Sequence, residues 1–158
     1  MTSGNQIRFV IAGDGIALPR LKALCRSKRI TNVIFLPRRS AEEMPSLYAL
    51  ADLLLVHLKD TPLFRITIPH KILTYLGTGK PILAAITGDA ATVISQSGAG
   101  TVCPSENPAV LAEAVRTYSR MTTAERNTIG ARGPLAVAAS FDRAKIVDRI
   151  ERILRRET

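Results

Sequence analysis

The chain has 158 residues, 46% of them apolar, enough for one well-buried domain and too few for two comfortable ones. Its 22 Lys and Arg against 13 Asp and Glu give a net charge of +9 and a pI near 10.3, a balance that draws a protein toward phosphates or an anionic lipid face. Trp is absent and aromatic residues make up 4%, so the stacking platform of a single-strand binder is missing and nucleic acid is disfavoured as a partner.

In chain order, the polar opening MTSGNQ has no secretory layout, and no later stretch has the roughly 18 consecutive apolar residues that cross a bilayer. The run IRFVIAG, Ile7 to Gly13, is short, β-branched and closed by a glycine turn, which predicts a buried strand. LPRLKALCRSKR follows as a helix with Pro19 in its first turn, and NVIFL predicts a second strand buried on both faces. SAEEMPSLYALAD carries a capping signature in Ser40 and Glu43 and predicts a helix. Leu53 to Leu58 is the third strand. The stretch KDTPLFRITI reads as a loop, and a helix opening near Pro69 stops at Gly77 and Gly79 before the strand PILAAI. GAGTVCP makes a fifth strand, and NPAVLAEAVRTYSRM is a helix capped by Asn107 with Pro108 at its first position.

TTAERNTIGARGPLA reads as a turn between two late helices. The last segment, SFDRAKIVDRIERILRR, is a docking helix: Ile146, Val147, Ile150, Ile153 and Leu154 form one stripe, and Arg143, Lys145, Arg149, Arg152 and Arg156 occupy the rest. Its basic face reads first as a solvated surface, with anionic lipid as the alternative. Apolar strands alternating with helices predict an α/β fold, a three-layer αβα sandwich around a parallel sheet of about five strands, in a single domain over residues 1–158.

Ligands of open parallel sheets sit beyond the carboxyl ends of the strands. The candidate loops are therefore Gly13 to Gly15, Pro37 to Ser40, His57 to Pro62 and Ile68 to Lys71, and the candidate substrate-binding residues are Gly13, Asp14 and Gly15 after the first strand, Leu36, Pro37 and Arg38 after the second, and His70, Lys71 and Thr74 after the third. The helix at Pro69 directs the unpaired amides of His70, Lys71 and Ile72 toward solvent, where a phosphate is favoured, and Lys71 adds a full positive charge. A solvated Lys71 on an ordinary helix start is the competing reading. The segment around Gly13 to Gly15 completes no dinucleotide fingerprint, and there is no Walker loop. Asp14 reads as a cap of the following helix ahead of any catalytic role, and His57 and His70 as hydrogen-bonded structural groups. Cys25 and Cys103 lie far apart with no metal-ligand spacing and read as buried thiols. No catalytic triad or carboxylate pair can be assembled, so catalytic residues are not assigned, and neither metal nor cofactor is expected.

The segments FVIAGDG, VIFLPRRSAEEMPSLYALADLLLVHLKDT, IPHKILTYLGTGKPILAAITGDAATVISQSGAGTVCP and NPAVLAEAVRTY together resemble the C-terminal, donor-binding half of a GT-B glycosyltransferase of the group 1 (family 4) type, over nearly the whole chain from Ile7 onward. That resemblance implies a Rossmann-like domain holding a nucleotide-diphosphate sugar in cell-surface polysaccharide or glycoconjugate assembly. It also implies roles: Leu36, Pro37 and Arg38 beside the base, and the amides of His70 and Lys71 on the diphosphate. Thr74 and Ile66 fall where many members have a Glu for the ribose and a Glu facing the sugar, so the chain departs from the family at both.

The family's N-terminal acceptor half and the opening βα unit of its donor half have no counterpart in the sequence. The remaining strands would then close up in the order 2-1-3-4-5, or a partner chain, a second copy included, would fill the gap. The chain alone is expected to bind but hardly turn over. A non-catalytic binding or assembly module that keeps the fold without the donor site is the alternative, and a phosphoacceptor receiver domain is discounted because Asp14 lacks acidic neighbours. The expected location is cytoplasmic, with peripheral contact to the inner membrane left open by the basic last helix.

Overall fold

The computed structural model describes residues 7–156, and the polar opening MTSGNQ lies outside them. The chain divides into two compact units, Met1–Leu47 and Tyr48–Thr158.

The first unit is a βαβ motif: β1 (Phe9–Ala12), α1 (Leu18–Ser27) and β2 (Val33–Leu36). The strands are parallel, with Phe9 opposite Val33 and Ala12 opposite Leu36. Pro19 sits in the first turn of α1, where its missing N–H costs nothing. The backbone amide of Leu18 bonds the Gly15 carbonyl at 2.8 Å. Asp14 does not cap this helix: Ala17 holds the cap position and no side chain bonds the first turn.

Both strands were expected to be buried, and that expectation is corrected. No described residue of this unit is buried, and Val10 in β1 is 57% exposed. A continuous apolar run becomes core only when layers cover both faces, and two strands with one helix supply too few apolar neighbours. The helix expected from Ser40 also starts late. α2 spans Met44–Leu50, and only half of the capping box forms, the Glu43 carboxylate accepting the Ser40 amide at 2.9 Å.

The second unit holds β3 (Leu54–His57), β4 (Ile82–Ala85) and β5 (Gly100–Cys103) in the order β3-β4-β5, all parallel. Its helices are α3 (Pro62–Arg65), α4 (His70–Gly77), α5 (Asp89–Ser97), α6 (Pro108–Arg120), α7 (Thr123–Gly130), α8 (Arg132–Ser140) and α9 (Arg143–Arg156). β4 is buried along its whole length because alternate side chains enter different layers. Ile82, Ala84 and Ile86 pack with Ile72 and Leu76 of α4 and Ala90 and Ile94 of α5. Leu83 and Ala85 face the other way and meet Cys103 with Leu111, Ala114 and Val115, the last three from α6. Burial raises the pKa of the Cys103 thiol, whereas Cys25, also expected inside, is half-buried.

The α/β class with parallel strands and helical layers is the observed architecture. Among the described residues the strands pair as two sheets, β1-β2 and β3-β4-β5, in place of the single sheet of about five strands that was expected. Three further differences are local. α3 occupies a stretch read as loop, its N-terminus capped by the Thr61 hydroxyl, which accepts the Phe64 amide at 3.3 Å. α5 was not anticipated. The region read as a turn contains α7 and α8, and α7 opens on a full capping box between Thr122 and Glu125. The stop after α4 is made at Gly79, whose φ of +71° lies in the left-handed region.

Candidate functional site

Parallel pairing puts the carboxyl ends of β3, β4 and β5 on one edge of the sheet. The loops that leave that edge begin at Leu58, Ile86 and Pro104, and the connection from β3 to β4 runs through α3 and α4. Because α4 returns the chain toward the start of β4, its N-terminus faces the edge that carries the ligand in open α/β sheets.

Pro69 caps α4 in an extended conformation (φ −62°, ψ 137°), and no side chain closes the first turn. The first turn holds no acidic residue, and it carries Lys71. A cation on the positive end of a helix is the unfavourable arrangement, and an anion there relieves it. His70 and Lys71 are both exposed. Of the three amides expected to be unpaired, one is not: the Ile72 amide donates to the Pro69 carbonyl at 2.9 Å. This is the three-residue bond that tightens a helix start, and it leaves the His70 and Lys71 amides as the donors for a ligand.

Thr74 lies one turn further on. Its hydroxyl donates to the His70 carbonyl at 3.3 Å and approaches His70 Nδ1 at 3.4 Å, so it is engaged inside the helix. Ile66, at the end of α3, is 73% exposed and offers no polar group.

Loops from all three strands converge on Asp60, which lies in the candidate loop His57 to Pro62 but was not singled out within it. Its carboxylate accepts Arg65 Nε at 2.6 Å and NH2 at 2.9 Å, and Thr87 Oγ1 at 2.9 Å. Its backbone amide donates to Glu106 Oε2 at 3.3 Å. The hydrogen bonds from Arg65, then that from Thr87, hold the Asp60 pKa down at about 2. Gly88 closes the cluster: a Cβ there would stand 1.9 Å from the Arg65 carbonyl oxygen, and its φ is +79°. The hint in the sequence was local, since Thr61-Pro62 is a cap followed by a first-turn proline.

The remaining candidates belong to the first unit. The Gly13 amide donates to the Leu36 carbonyl at 3.2 Å, so the loops Gly13 to Gly15 and Leu36 to Arg38 leave β1 and β2 side by side. Asp14, Gly15, Pro37 and Arg38 are exposed.

Residues 2–120 match the family described as glycosyl transferases group 1. The chain belongs to that family. Among solved structures, HepE of Anabaena in complex with UDP-glucose superposes with a TM-score of 0.75 at 23% identity, covering 94% of this chain and 41% of its own. WaaG, a glycosyltransferase involved in lipopolysaccharide biosynthesis, gives 0.64 at 22% identity over 84% of this chain and 34% of its own. AviGT4, a glycosyltransferase involved in avilamycin A biosynthesis, gives 0.60 at 18% over 84% and 40%. No curated protein sequence matches the chain. The fold of this group 1 chain is thus the Rossmann-like GT-B type, and the chain spans well under half the length of these solved relatives.

Proposed function

We propose that this group 1 chain is the donor-binding part of a glycosyltransferase that moves a sugar from a nucleotide-diphosphate sugar to an acceptor in cell-surface polysaccharide or glycoconjugate assembly. One observation carries the reading: the start of α4, where Lys71 and the amides of His70 and Lys71 face the carboxyl edge of the sheet with no acidic residue in the first turn. Such a group of donors holds a diphosphate and steadies it as it departs, an electrostatic form of catalysis that needs no covalent step. By the resemblance, Leu36, Pro37 and Arg38 are assigned to the base and Thr74 to the ribose, and Gly13, Asp14 and Gly15 are further substrate-binding candidates. The capture of UDP-glucose by HepE supports a nucleotide-sugar ligand. The chain would work in the cytoplasm with an acceptor-binding half, supplied by the same or a separate polypeptide, and alone would bind without appreciable turnover.

The second reading, a non-catalytic assembly module of the same fold, is favoured by Thr74 and Ile66. A hydroxyl already bonded within α4 cannot grip a diol as a carboxylate does. Melting curves with and without UDP or GDP separate the two. A nucleotide-dependent rise in Tm supports donor binding, because a ligand that binds only the folded state stabilises it by mass action. No rise with either nucleotide, together with self-association in sedimentation, supports the module.

A further inference from the structure

The connection from β3 to α4 passes the carboxyl edge of the sheet, and its residues 61–69 end on the cap of α4. One side of this segment rests on the protein. The Arg65 carbonyl lies so near Gly88 that a Cβ there would stand 1.9 Å from its oxygen, and the Arg65 guanidinium is bonded to Asp60. The solvent side carries Leu63, Ile66 and Ile68, which are 65, 73 and 40% exposed. Leu63 and Ile66 stand three positions apart at the turn of α3, the spacing of side-chain neighbours. Ile68 immediately precedes Pro69, the cap of α4.

Among the described residues 61–69, each polar side chain is engaged within the protein. The Thr61 hydroxyl accepts the Phe64 amide at 3.3 Å, Arg65 donates to Asp60 at 2.6 Å, and the Thr67 hydroxyl donates to the Leu63 carbonyl at 2.6 Å. What the segment offers a ligand is therefore aliphatic. In a nucleotide-diphosphate sugar the anomeric oxygen is bonded directly to the outer phosphate. A glycosyl group whose phosphates sit on the His70 and Lys71 amides therefore begins beside the residues that precede Pro69. Hydroxyls laid against an aliphatic wall give up water and find no partner, whereas a methyl group gains by leaving water.

On the donor-binding reading above, we propose that Leu63, Ile66 and Ile68 form an apolar wall of the glycosyl pocket that selects donors whose sugar presents a methyl group, on a deoxygenated carbon or in an acetamido substituent. The test is calorimetric titration of the full chain with UDP and GDP, then with matched donors of whichever nucleotide binds. These are the glucose conjugate, its counterpart with methyl in place of hydroxymethyl, and its acetamido counterpart. At least one methyl-bearing donor is expected to bind about fivefold more tightly than the glucose conjugate, the scale of one methyl group leaving water. Which of the two it is locates the methyl. Ile66→Thr, at an exposed position, is expected to bring that ratio below about twofold. Equal affinity for all the donors, with the nucleotide itself bound, overturns the proposal and leaves the donor-binding reading in place. Failure of both nucleotides to bind overturns the two together. A methyl preference that persists unchanged in Ile66→Thr overturns the assignment of the wall.

Discussion

Asp60 and Arg65 meet fork on fork, Nε to Oδ1 at 2.6 Å and NH2 to Oδ2 at 2.9 Å, tying the loop after β3 to the last residue of α3. The geometry is bidentate, the form in which an ion pair carries positional information as well as attraction. A hydroxyl from the loop after β4 completes the carboxylate's shell.

This pair makes a pH prediction. Asp60 ionises at about 2 in the folded chain, below the ordinary aspartate value of about 3.9 expected when unfolded. A depressed carboxylate stabilises the fold fully above the unfolded value and loses that contribution as pH falls through the folded one. Thermal melts of the wild type should therefore fall between about pH 4 and pH 2. Arg65→Ala should flatten that segment of the curve. Because both side chains are solvent-accessible, the effect should shrink in high salt. Identical pH profiles for the two proteins would contradict the assignment.

Two glycines should respond in opposite directions. Gly88→Ala drives a methyl into the Arg65 carbonyl at 1.9 Å on a left-handed backbone, and should destabilise by at least about 2 kcal/mol. Gly77→Ala meets nothing within 4 Å at the end of α4, and should leave stability unchanged or raise it by up to about 1 kcal/mol. Urea unfolding of both variants checks the contrast.

The core is also placed by substitution. Leu76 is fully buried between α4 and the sheet, so Leu76→Ala should cost about 2 to 5 kcal/mol. Val10, 57% exposed in β1, should cost under about 0.5 kcal/mol when made Ala. Comparable losses at the two positions would show that β1 is covered after all.

Residues whose signals are local and additive were legible in advance. Asn107 caps α6 and Pro108 opens it, as their adjacency implies, and Pro69 followed by Lys71 located the start of α4. Thr122 and Glu125 carried the same kind of signal and were passed over because the glycine-rich stretch around them suggested a turn. Thr122→Ala should cost about 0.5 to 2 kcal/mol by removing that cap, measurable in chemical unfolding. Strand burial was not legible at β1 and β2. An apolar run such as NVIFL states that layers are wanted, without stating that they are supplied. The Asp60 cluster was hidden for a different reason: Thr87 and Glu106 lie 27 and 46 residues away and meet Asp60 only because three parallel strands end together. At Thr74 the residue type was known, but its bond back to the His70 carbonyl depends on helix geometry.

The central claim is that α4 presents a diphosphate site through Lys71 and its neighbouring amides. Calorimetric titration of UDP and GDP into the wild type and Lys71→Ala tests it most directly. The account predicts that the wild type binds at least one of the two and that Lys71→Ala binds it about ten- to a hundredfold more weakly, the worth of one charge-assisted hydrogen bond. Equal affinity in the two proteins, or no binding by either, would contradict it.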